Sequence, residues 1–349
     1  MNSRQRIEAA LRGERPDVVP IFLRDLTLGL DVCDYSTPEV CTGGPNGGYD
    51  AEKSARCVIE TQRLLGHDCI VGSIHDLGLD VDLLGGRVDF PERGIPRVAQ
   101  PAFPTAEAIL NARIPDLRRG GRMPGLIRSY GIVAEAVGRE LAIAANVEGP
   151  VTKAGLLRGL DDFLVDLVSD AATARTAVDF AVELACEHVR SLLEGGAHFI
   201  FVAAASDGPA VISPQHYLDY TIPGLRAIVA AARDLGAAVV FHPHGPFTDE
   251  RFWPLVDAAI ATGIVGFQFG EDNDLRIAKQ RWGDQICILG GVDIPTILSP
   301  GPLERIREAT RQVVELAGRD GAFILMPSCS VHRGLPIQHL HAMIQAARV

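Results

Sequence analysis

The chain of 349 residues is short of basic charge, of paired cysteines and of long apolar runs, and each shortage removes a class of function. Thirty-three Lys and Arg face 44 Asp and Glu, for a formal net charge of −11. A surface of that sign repels phosphate backbones and anionic headgroups, so neither a nucleic-acid nor a membrane-surface partner is expected. No apolar stretch approaches the ~20 residues needed to cross a bilayer. Met1-Asn2-Ser3-Arg4-Gln5-Arg6 leads into a helix rather than into the apolar core of a signal peptide. The seven cysteines are odd in number and scattered, with no Cys-x-x-Cys pair. That usage suits a reducing compartment, and a cytoplasmic location is expected. A Gly-rich fingerprint after an early strand is missing too, which weighs against a doubly wound dinucleotide-binding sheet.

Hydrophobic residues make up 47% of the chain, ample for a large core, and their distribution has a rhythm. Leu141–Val147, His198–Ala203, Ala238–Phe241, Val265–Phe269, Ile286–Leu289 and Phe323–Met326 read as apolar strands buried on both faces. Helical patterns separate them, the longest being Ala171–Glu194. The alternation runs on without a break in composition. It predicts an α/β protein: one (β/α)8 TIM barrel over residues 1–349, with a helical and β-hairpin elaboration over roughly the first 120 residues. In that elaboration Ser3 is expected to cap a helix through Leu11, and Ile21–Leu23 to form a short strand. Asp31–Tyr49, rich in Gly, Pro and Thr, reads as a long loop over the mouth. Asp76–Gly86 reads as a loop bearing Asp80 and Asp82, and residues 87–104 as a small β excursion.

The polar residues that stand out fall just after predicted strands: Glu148, Asp207, His242, His244, Glu271, Asp293 and Cys329. In a barrel those ends converge on one face, where active sites lie. An acid at such a position also serves as a helix cap, and both roles stay open for each acid. The segment AAVVFHPHGP is more specific. Alternate residues of an extended chain share a side, so His242 and His244 face one point. Pro243 stiffens the link, and Gly245 lets the backbone turn away. Cys329 follows Pro327-Ser328 at another strand end, whereas Cys57, Cys69, Cys186 and Cys287 lie in helices or apolar strands as small core residues. Two imidazoles and a thiolate make a catalytic zinc set with an open fourth position, which water or an acid such as Glu148 would take.

Four stretches, RQRIEAALRGERPDVVPIF, NVEGPVTKAGLLRGLDDFL, ASDGPAVISPQHYLDYTIPGL and PSCSVHRGLPIQHLHAMIQAAR, resemble the uroporphyrinogen decarboxylase superfamily over nearly the whole chain. Within it the chain is most similar to the zinc methyltransferases that act with a corrinoid on methanol, methylamines or methoxylated aromatics. The resemblance implies a TIM barrel with one zinc held by His-x-Cys after one strand and by Cys after the last. His242 and Cys329 match two of these ligands, and His244 stands where the family has Cys. It further implies methyl transfer between a small O- or N-methyl compound or thiol and a corrinoid on a separate partner protein, with Glu148 and Asp207 as proton donors or additional ligands. A homodimer is compatible with it. After Pro20 the chain reads IFLRDLTLGLDVCDY, with the single Arg24, where the decarboxylases carry several arginines for porphyrinogen carboxylates. A metal-free lyase of the decarboxylase type is the alternative, and a barrel that binds a ligand without turnover is a third reading.

Overall fold

The computed structural model describes residues 1–348. Seven parallel strands lie side by side in one sheet: β1 (Cys69–Val71), β4 (Ala142–Glu148), β5 (Phe199–Ala204), β6 (Ala238–Pro243), β7 (Gly266–Gln268), β8 (Cys287–Val292) and β9 (Phe323–Pro327). A separate antiparallel hairpin pairs β2 (Arg87–Asp89) with β3 (Arg97–Gln100). The sheet is curled, because one short segment touches both of its edges: Ile21 bridges Leu325 on β9, and Phe22 bridges Cys69 on β1. Phe22 N donates to Leu325 O, and Asp68 N donates to Ile21 O. Neither edge is left open to template another chain.

Every residue of β1, β4 and β9 is buried, as double coverage of a parallel sheet requires. Inside the curl Phe22 meets Phe199 and Phe201 edge-on, at 6.3 and 5.7 Å, an arrangement that aligns the positive ring edge with the negative ring face. Helices cover the outside, Ala171–Glu194 among them. The buried apolar residues form one contiguous cluster from Ile7 to Ala347. No helix of the described residues is long and apolar enough to cross a membrane.

The N-terminal portion departs from expectation in four places. Asn2, not Ser3, caps the helix Ser3–Leu11, because Ser3 Oγ is drawn to Asp68 Oδ1 at 2.7 Å. The expected strand at Ile21–Leu23 shrinks to the two bridges. Asp31–Tyr49 is not an open loop, since Leu28–Val32 and Thr37–Cys41 are short helices. The Asp25 carboxylate accepts from Leu28 N and Gly29 N and starts the first. A Ser36–Glu39 capping box starts the second. Asp31 accepts from Arg333 and from Gly334 N, so this segment packs beside the chain that leaves the C-terminal end of β9. Finally, Asp80 and Asp82 sit in a helical turn, Leu79–Leu83.

Candidate functional site

The C-terminal ends of β6 and β9 bring His242, His244 and Cys329 together. β6 runs one turn of the pleat further than its apolar pattern suggests. His242 is its last residue but one, paired in register with Ala203 of β5. The side chain is buried. Gly245 follows with φ 143°, a conformation that L side chains rarely adopt, and a Cβ there would lie 2.7 Å from Pro209 Cγ. Gly208 closes the other side, with room for no side chain: a Cβ there would lie 1.9 Å from the His244 carbonyl oxygen.

His242 Nε2 and His244 Nε2 are 3.2 Å apart, and Cys329 Sγ is 3.7 Å from each. Tetrahedral zinc at about 2.05 Å from nitrogen and about 2.3 Å from sulfur would separate two nitrogens by about 3.3 Å and nitrogen from sulfur by about 3.6 Å. The three ligand atoms therefore already stand at coordination spacing. Their chemistry fits as well. His242 Nδ1 faces the Gln268 carbonyl at 3.4 Å, which fixes the proton there and leaves the Nε2 lone pair pointing inward. Gln268 Nε2 also donates to Pro327 O, tying the Cys329 loop to β7. Burial opposes ionisation of Cys329, but hydrogen bonds from His242 and His244, and the charges of His242 and Arg24, hold the thiol down to about 3. The thiols of Cys33, Cys41, Cys57, Cys69, Cys186 and Cys287 are all pushed up, chiefly by burial. Cys329 is thus the one cysteine of the seven whose surroundings favour the thiolate.

Arg24 stands beside Cys329, whose negative charge favours the guanidinium. It is buried and holds φ 48°, uncommon for a non-glycine. Its guanidinium donates twice to Asn146 Oδ1, at 3.0 and 2.8 Å, and lies over the Phe201 ring at 4.6 Å. It makes no ion pair with a carboxylate among the described residues.

The two expected acids are placed elsewhere. Asp207 is fully buried and occupied by structure: it accepts from Val151 N, Thr152 N, Thr152 Oγ1 and Thr221 Oγ1. It anchors the first turn of the helix Pro150–Arg158, and four donors leave no oxygen lone pair for the mouth. Asp207→Ala is expected to destabilise the fold by about 1–3 kcal/mol while bound metal stays unchanged; urea unfolding and elemental analysis of one preparation check both. Glu148 ends β4, but it turns toward Lys153 Nζ, 3.0 Å from Oε2, and His75 Nε2, 3.4 Å from Oε1. Asp293 caps the turn Ile294–Leu298 through Thr296 N at 2.6 Å. Glu271 lies exposed beside the site and favours the charged form of His244.

Glu148 belongs to a second buried group that sequence reasoning missed. Asp80, Glu148 and His188 have their ligand atoms within 4.8 Å of one another. The composition suits a metal, but the Lys153 ammonium stands among them. It bonds Asp80 Oδ2 as well as Glu148, and His188 Nε2 contacts Asp80 Oδ1 at 2.7 Å. Burial alone would raise Glu148, yet the charges of Lys153 and His75 hold it below the usual carboxylate range. A faint signal existed: Lys153 is one of only three lysines, the others being Lys53 and Lys279, and it sits in an apolar stretch.

Comparison with known proteins agrees with this architecture. The chain is 24% identical over 346 residues to a methylcobamide:CoM methyltransferase, MtaA, of Methanosarcina barkeri, covering 98% of this chain and 96% of that protein. It is 24% identical to a methylated-thiol–coenzyme M methyltransferase of Methanosarcina mazei, covering 100% and 89%. A solved methyltransferase from Methanosarcina mazei superposes with a TM-score of 0.87 at 23% identity over 100% of this chain and 98% of that one, and so shares its fold. The uroporphyrinogen decarboxylase (URO-D) family profile matches residues 2–349, and the chain belongs to that family.

Proposed function

We propose that residues 1–349 form a single (β/α)8 barrel, with Ile21–Phe22 in the eighth position, and that the chain is a zinc methyltransferase working with a corrinoid on a separate protein. The observation that carries the reading is the triangle of 3.2, 3.7 and 3.7 Å between His242, His244 and Cys329. Those three residues would hold the zinc, and zinc bound there supplies a Lewis acid. Gln268 orients His242, and the Cys329 thiolate is favoured before any metal binds. Arg24 presents a buried positive charge to whatever anion forms in the mouth. The substrate class is a small thiol or methylated compound. The named activities of the two Methanosarcina relatives, both directed at coenzyme M, favour the thiol side. Asp207 serves the scaffold. The acidic charge balance and the thiolate suit a cytoplasmic enzyme.

The test is direct. Protein purified without a His tag is expected to carry one zinc per chain after reconstitution, and to demethylate methylcobalamin or a methylated corrinoid protein in the presence of coenzyme M, followed by the corrinoid's visible spectrum. Wild-type protein that binds no metal and demethylates nothing would reject this reading in favour of a metal-free lyase.

A further inference from the structure

Along the C-terminal rim of the curled sheet, the three candidate ligands come from the ends of β6 and β9, the strands that flank β7 and β8. The other half of the rim is formed by Ile21–Phe22, β1, β4 and β5, and it contributes no ligand. Its side chains are packed away. Ile21 and Phe22 are fully buried, and so is every residue of β1 and β4. β5 breaks the pattern at one position. Ala203 is partly exposed, whereas Phe199, Ile200, Phe201, Val202 and Ala204 are buried. Among the described strand residues of this half, Ala203 is the only one not buried.

Register fixes where that exposure lies. Ala203 is paired with Glu148 of β4 on one side and with His242 of β6 on the other. It stands two residues beyond Phe201, so the two side chains share a face of the sheet. That face is the inner one. The Phe201 ring meets Phe22 inside the curl, lies 5.9 Å from the His242 ring, and carries the Arg24 guanidinium at 4.6 Å. Val202 and Ala204 point the other way and are sealed. The open side of Ala203 is therefore the mouth. Two strand spacings separate the backbones of Glu148 and His242 by roughly 10 Å, and only a methyl group fills the interval. The flanking side chains do not close over it: Glu148 is drawn to Lys153 and His75, and His242 turns Nε2 to Cys329. What remains is an apolar notch, one side chain wide, directly beside a candidate zinc ligand.

We propose that Ala203 is a specificity-determining residue: the notch over its methyl group receives the carbon chain of the substrate thiol and limits the bulk tolerated next to the sulfur. A sulfur bound among His242, His244 and Cys329 approaches from the side those ligands leave open, and Ala203 is the accessible strand position adjoining them. Lys153 neutralises Glu148 at the far edge of the notch, so an uncharged carbon chain can lie there without stranding a carboxylate. The substrate class is accordingly a short thiol, unbranched at the carbon that bears sulfur.

The inference rests on the thiol reading above, and the experiment separates the two. Zinc-loaded wild type, Ala203→Leu and Ala203→Gly are titrated calorimetrically with coenzyme M and with 2-mercaptopropane-1-sulfonate, which carries one more methyl on the carbon bearing sulfur. Zinc is counted in each protein by elemental analysis. Ala203→Leu is expected to keep one zinc per chain and to bind coenzyme M about 10–200-fold more weakly, the range over which an apolar pocket discriminates small changes of bulk. Ala203→Gly is expected to keep its zinc and to shift the ratio of the two dissociation constants in favour of the branched thiol. Wild-type affinity for coenzyme M in zinc-loaded Ala203→Leu overturns the proposal. So does a wild-type ratio in Ala203→Gly, a result independent of whether the leucine variant folds. Loss of zinc from both variants makes Ala203 a support for His242 and equally overturns it. Failure of the zinc-loaded wild type to bind coenzyme M overturns the thiol reading, and this inference with it.

Discussion

Cys329→Ser is expected to lose its metal. A serine hydroxyl is a far poorer ligand than a thiolate, and Cys329 is the only anionic ligand of the three. Outer-layer partners of metal sites typically cost 10–100-fold in affinity when removed, so loss of a first ligand should exceed about 100-fold. Zinc should fall from one per chain to a small fraction after dialysis against a weak chelator, and methyl transfer should fall with it. The fold should survive, since Cys329 is only half-buried and the loop is held separately by Gln268 and by Ser328 N to Val292 O. His244→Cys is the informative companion. It should keep a full equivalent of zinc, because thiolate is an equal or better ligand at that position. Stoichiometric zinc in Cys329→Ser would show that the triangle of side chains is not the metal site.

Lys153→Met is expected to have the largest effect on stability. Lys153 is 1% exposed and lies between two buried carboxylates. Removing one member of a buried ionic group leaves the others uncompensated, typically at about 3–5 kcal/mol. The urea midpoint should drop accordingly with an unchanged slope. The double variant Lys153→Met/Asp80→Asn should recover part of the loss, because it removes one of the stranded charges. A drop below 1 kcal/mol in the single variant would mean that the two acids take up protons at little cost, and that the ammonium is not what holds them.

The parts of the molecule legible in the sequence are those with local causes. Strands buried on both faces must be apolar throughout, so β4, β5, β6 and β9 were visible as runs. The helix Ala171–Glu194 was visible because its amphipathic pattern is long; the structure adds the cap at Asp170. His242 and His244 were readable as a pair because an extended backbone turns alternate residues to one side. Cys329 was readable through its place at a strand end. What escaped depends on partners far along the chain. Asp207 after a strand looks the same whether it faces a substrate or anchors the next helix, and only the positions of Thr152 and Thr221 decide. Glu148 could not be assigned without Lys153 on the following helix, Asp80 in a turn that read as loop, and His188 a further helix away. The segment Asp31–Tyr49 has loop composition, but its short helices are held by capping and by Arg333 from the far end of the chain.

The bridges from Ile21 to Leu325 and from Phe22 to Cys69 have a consequence for biosynthesis. A ribosome delivers Ile21–Phe22 long before Leu325, so the sheet cannot close until β9 has emerged. Until then Ile21–Phe22 lacks its neighbour on the β9 side, and Arg24 and the Cys329 loop cannot meet. The nascent protein thus carries an open, apolar sheet edge until β9 arrives, a stage at which chaperone protection matters most. His242, His244 and Cys329 likewise come together only after β9 has joined the sheet.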